Sequence, residues 1–114
     1  MMRALPIGLL AGLLLVATPA LADPIEEGPL LVDEYCSDCH AVGATGDSKL
    51  AAAPRFRELH LRYDVGDLSE SLVEGIVTAH PEMPEFEFDP EQAEAIVLYL
   101  KSLEPSGGTA KISP

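Results

Sequence analysis

The stretch richest in chemistry is Cys36-Ser37-Asp38-Cys39-His40. Two thiols three residues apart fall on one helical turn, so both sulfurs reach the same edge of a flat ring. The imidazole that follows can turn back over that ring and hold a metal. This spacing signals thioether attachment of a c-type haem, with His40 as the proximal iron ligand. Three plainer uses of a Cys-x-x-Cys pair compete with it. Half a zinc site needs two more ligands. The chain has no other cysteine, and its other histidines are His60 and His80. A redox dithiol needs a preceding strand in a βαβ setting, and no such pattern precedes Cys36. A disulfide is the third use, and the histidine beside Cys39 weighs for haem over it.

Iron with one axial histidine either takes a second protein ligand, which suits electron transfer, or keeps a position open for ligands or catalysis. Met1 and Met2 sit in an apolar leader, so Met83 is the thioether left to the folded domain. A lone Met is ordinarily core filler among apolar neighbours. Met83 instead lies between Glu82 and Pro84, on a loop that Pro81 and Pro84 stiffen. It reads as the distal iron ligand. His80, three residues earlier, is the alternative, giving a bis-histidine site, and His60 competes more remotely.

These residues must be positioned by helices, since the apolar periodicity is helical throughout. From Ile25 a stripe runs through Gly28, Val32, Tyr35, Cys36 and Cys39, with Pro29 expected close to the start of the regular part. Gly28 reads as a position kept small so that another helix can cross. Residues 41–53 carry no useful period and read as a loop. Pro54 opens a short helix over Arg55 to Tyr63, with Phe56, Leu59 and Tyr63 inward. Arg55, Arg57 and Arg62 are each candidates for pairing with haem propionates, because guanidinium suits carboxylates. Asp67 and Glu70 read as a capping box for a helix through Ala79, with Leu68, Leu72, Val73, Ile76 and Val77 inward and Gly75 inside. Asp89, Pro90 and Gln92 start the last helix, whose stripe is Ala93, Ile96, Val97, Leu100 and Leu103.

Residues 1–22 read as a secretory signal peptide: Arg3, an apolar run to Ala17, then Ala20-Leu21-Ala22 before Asp23. Cleavage after Ala22 would deliver a periplasmic protein. The alternative is a membrane tether, although the run is shorter than the ~20 residues a spanning helix needs. A single domain over 23–104 follows, then a flexible tail over 105–114. All 19 Asp and Glu follow Ala22, and Arg3 is the one basic residue before it, so the remaining chain carries −13 against −12 for the whole. Such acidity excludes nucleic acid, whose phosphates need a basic face. It serves solubility and would steer the protein toward a basic docking face. No nucleophile motif or small-molecule substrate site is visible, so an enzyme is not expected.

With Cys36 to His40, Met83-Pro84 and Tyr99-Leu100-Lys101 in view, the chain resembles a small monohaem class I cytochrome c from about Gly28 to Leu103. The resemblance implies an all-α, cytochrome c-like fold. N- and C-terminal helices cross, and two or three further helices and loops wrap one covalent haem c and its iron. It implies that Gly28 and Val32 stand at the crossing, that Tyr99 meets them there, and that the Pro54 carbonyl holds His40. It implies single-electron transfer to redox protein partners by a monomer or transient complex. Phe86, Phe88 and Pro84 would then keep the Met83 side dry. The other roles open to such a chain are an electron-accepting subunit of a dehydrogenase or oxidase complex, or a haem sensor with a displaceable distal ligand.

Overall fold

The computed structural model describes residues 2–6, 8–16, 23–75 and 82–105. Among the described residues, three α-helices and two short 3₁₀ helices make up the regular structure, with no strand. Residues 2–6 and 8–16 have no regular structure and leave their leucines exposed. No helix among the described residues is long and apolar enough to cross a membrane.

Helix α1 spans Pro24–Cys36. Asp23 caps it by accepting from the Ile25 N–H at 2.9 Å, and Pro24 occupies the first helical position, where its missing N–H costs nothing. The helix therefore starts before Pro29, which lies inside it rather than at its beginning. The ladder bond that Pro29 forfeits is the one to the Ile25 carbonyl in the first turn, and its ring faces solvent. Gly28, Leu31 and Val32 form the buried face. Tyr35, expected in that stripe, is 42% exposed. Its ring lies edge-on to Phe86 and Phe88 at 5.9 and 5.3 Å.

Helix α3, Pro90–Ser102, has the capping box that its first residues specify. Asp89 accepts from the Gln92 N–H at 2.8 Å, and the Gln92 side chain accepts from the Asp89 N–H at 3.2 Å. Its buried face is Ala93, Ala95, Ile96, Val97 and Leu100. This face packs against α1 in the most extensive helix contact of the fold. At their crossing a Cβ on Gly28 would lie 2.3 Å from the Ala95 carbonyl oxygen. The two backbones can approach this closely only without a side chain at that position.

Between them the first 3₁₀ helix, Phe56–Leu61, buries Phe56 and Leu59 but leaves Tyr63 beyond its end 41% exposed. The second, Val65–Asp67, leads directly into α2, Leu68–Glu74. The expected capping box at Asp67 does not form. Asp64 is the residue that caps, accepting from the Gly66 N–H at 2.8 Å, while the Asp67 side chain makes no cap bond. The reason is tertiary: Val65 is pulled fully into the core, so the chain tightens into a 3₁₀ turn first. Gly75 is likewise not interior to the helix. It ends α2 with φ +99°, a conformation that glycine adopts without strain. Residues 76–79, and with them Ile76 and Val77, lie outside the described residues.

Candidate functional site

The end of α1 carries the cysteine pair. Cys36 is the last helical residue, and the chain then turns, with the Cys39 and His40 N–H groups both donating to the Cys36 carbonyl at 3.2 and 2.9 Å. That tight turn keeps both sulfurs and the imidazole within one local unit. Both cysteines are free and half-buried. Burial pushes the Cys36 thiol up to about 11, so it remains a protonated thiol at neutral pH. A redox dithiol depends on a lowered thiol pKa, and here the shift has the opposite sign.

The segment after His40 is fixed at successive backbone groups. The Ala41 N–H donates to Ser48 Oγ at 2.9 Å, and the Ala41 carbonyl accepts from Phe56 N–H at 2.9 Å. The Tyr99 hydroxyl, on α3, donates to the Val42 carbonyl at 2.5 Å. Burial, with Asp33 adding to it, raises the Tyr99 phenol above its ordinary value. His40 itself is held by its Nδ1, which donates to the Pro54 carbonyl at 2.7 Å. A carbonyl only accepts, so the proton is on Nδ1 and the lone pair is on Nε2, free for a metal. The Phe56 ring packs against the imidazole, with centroids 4.6 Å apart.

A cavity of about 390 Å³ brings these groups together. That lies within the roughly 300–1,000 Å³ of cofactor and ligand sites. Cys36, Cys39, His40, Pro54 and Met83 all line it. Met83 is half-buried on the loop that leads to α3. That loop is anchored where the Phe88 N–H donates to the Leu72 carbonyl at 2.8 Å, and the Phe88 ring enters the core. Pro84 and Phe86 line the cavity beside Met83. Phe88, expected with them, packs behind Phe86 in the core instead.

Other residues of the sequence reading lie elsewhere. His80 falls outside the described residues. His60 does not line the cavity. Arg55 is occupied by Asp47 and Glu58 on the protein surface. Among the described residues no three His, Cys, Asp or Glu side chains gather as a metal site, so the cysteine pair has no partners for a zinc site there.

The sequence reading missed part of the wall. Leu50, Ala52 and Ala53 line the cavity from the aperiodic loop, as does Phe56. The run of small residues just before Pro54 was the available signal. Glu34, Asp38 and Glu82 also line the cavity, and among the described residues that line it none is Lys or Arg. The arrangement therefore offers two thiols, a free imidazole nitrogen and a thioether on an apolar wall with an acidic rim. That donor set fits a covalently held haem.

The Cytochrome c family model matches residues 25–104. Cytochrome c-552 of Bradyrhizobium diazoefficiens is 33% identical over 90 residues, covering 78% of this chain and 84% of that protein. No solved structure matches the chain.

Proposed function

Because the chain belongs to the cytochrome c family, whose members carry covalent haem c and iron, we propose that it is a periplasmic single-electron carrier with His40 and Met83 as axial ligands. The haem supplies a one-electron couple between ferric and ferrous iron. Cys36 and Cys39 anchor it through thioethers. His40 binds through Nε2 because the Pro54 carbonyl occupies Nδ1. Met83 binds from the other chain segment, and its thioether favours the ferrous state. Pro84 and Phe86 exclude water on that side, which raises the potential further. The protein acts on no small-molecule substrate, and its partners are redox proteins.

The observation that carries this reading is the convergence of Met83 with Cys36, Cys39 and His40 on one cavity. Export and loss of residues 1–22 are supported by the edge of the folded part. Asp23 caps α1 directly behind the small-x-small sequence, and the leucines of residues 5–15 are exposed. The acidic rim supports docking to a partner with a basic face, formed transiently by a monomer. A redox titration of protein matured with a haem-attachment system tests the function. A reversible one-electron wave at positive potential is expected, and a strongly negative potential would overturn the His/Met assignment.

A further inference from the structure

The hydrogen bond from His40 Nδ1 to the Pro54 carbonyl joins residues fourteen apart in the chain. The loop between them has no helix or strand, and holding such a loop closed costs entropy. Other contacts must therefore fix the 2.7 Å separation. The residues that follow His40 and Pro54 are Ala41 and Arg55. The Ala41 N–H donates to Ser48 Oγ at 2.9 Å. The Arg55 guanidinium donates to the Asp47 carboxylate. One dipeptide, Asp47-Ser48, thus grips the chain just beyond each end of the His40–Pro54 bond.

The two grips differ in weight. The Asp47 side chain is 80% exposed and that of Arg55 39%, so water and salt weaken their pairing. Ser48 is half-buried and Ala41 is buried. The Ala41 carbonyl is held as well, by the Phe56 N–H at 2.9 Å. Without Ser48 Oγ the Ala41 N–H loses its partner in a buried setting, which costs more than a screened surface pair. The chain relaxes to satisfy that group, and His40 moves with it because the two share a peptide unit.

We propose that Ser48, supported by Asp47, is a positioning residue: it holds His40 at the Pro54 carbonyl and so sets how strongly His40 donates to the iron. This rests on the haem reading above. A firm bond from Nδ1–H makes the imidazole more basic at Nε2. A stronger donor favours ferric iron, so loosening the grip moves the couple toward ferrous.

The test uses the haem-loaded protein in two measurements: the proton NMR shift of His40 Nδ1–H in the ferrous state, and the reduction potential. The variants are Ser48→Ala, Ser48→Thr and Asp47→Asn. Asp89→Ala is the control, since it loosens the fold at the cap of α3, outside the cavity lining. In Ser48→Ala the Nδ1 proton moves upfield, as a weaker hydrogen bond requires. The ferrous-to-ferric ratio at fixed poise rises about threefold, or about 28 mV for one electron. Ser48→Thr keeps the hydroxyl and returns both readouts to the wild-type values. Asp47→Asn moves the proton the same way by less; its potential also carries the lost charge, so the proton is its readout. A Ser48→Ala protein whose proton and potential match the Asp89→Ala control overturns the proposal. If Ser48→Ala does not mature, a wild-type proton position in Asp47→Asn overturns it. Wild-type protein without c-type haem would instead overturn the underlying haem reading.

Discussion

Replacing Gly28 by alanine tests the helix crossing on which the site depends. The added Cβ would lie 2.3 Å from the Ala95 carbonyl oxygen, 3.0 Å from its carbon and 3.1 Å from Tyr99 Cβ. Ordinary contact begins at 3.4 Å, so α1 and α3 must separate by roughly 1 Å, enough to loosen a close-packed interior. The closest obstacle is backbone, which cannot rotate aside. Overpacking costs about 1–3 kcal/mol, occasionally more, and this contact belongs at or above the top of that range. Against it, Gly→Ala inside a helix contributes about 1 kcal/mol. The net loss is about 2 kcal/mol, which lowers the melting temperature of a domain this size by roughly 8–16 °C. Thermal unfolding of the ferric haem protein, followed by far-ultraviolet circular dichroism, measures it. Leu30→Ala, on the exposed side of α1, is the control and stays within about 0.5 kcal/mol. An alanine variant as stable as the wild type, or more stable, would show that helix propensity outweighs the clash and refute the close-crossing argument.

Asp89→Ala removes the cap at the start of α3 and costs about 1 kcal/mol, read as a melting temperature lower by about 4–8 °C. Tyr99→Phe keeps the ring at the crossing but leaves the Val42 carbonyl without its donor, costing about 1 kcal/mol at neutral pH. The same variant changes the alkaline limb. Burial and Asp33 raise the Tyr99 phenol in the folded protein, so above the unfolded value of about 10 the native state binds the proton more tightly. This stabilisation is complete below that pH and is lost as pH rises through the folded value. Chemical denaturation across that range should show a shallower decline in Tyr99→Phe, and an identical slope would rule out the phenol as its source. Neutralising the rim with Glu34→Gln, Asp38→Asn and Glu82→Gln slows association with a basic redox partner at low ionic strength. The difference vanishes at high salt, as stopped-flow rates would report.

How far the fold was legible depended on how local each signal was. The start of α3 was readable because Asp89, Pro90 and Gln92 carry the whole cap within four residues. The start of α2 was not, since Asp64 and Asp67 both precede it and the choice between them follows from burial of Val65, a tertiary event. Gly75 looked interior because the apolar stripe continues past it, and its positive φ is not written in that stripe. Of the residues that line the cavity, Cys36, Cys39, His40 and Met83 stood out in the sequence by chemical type. The Pro54 carbonyl entered only through the resemblance. Leu50, Ala52 and Ala53 had no period to mark them as wall. Arg55, Arg57 and Arg62 are equivalent as sequence, and only burial and partners separate them.

Electron transfer without ligand exchange requires that Met83 close the proposed iron site opposite His40. Carbon monoxide binding to the ferrous haem protein, followed optically in wild type and in Met83→Ala, tests it most directly. The wild type should not take up the gas readily, and the Met83→Ala variant should. A wild type that binds it freely, or a Met83→Ala variant that remains closed because another ligand such as His80 holds the iron, would contradict it.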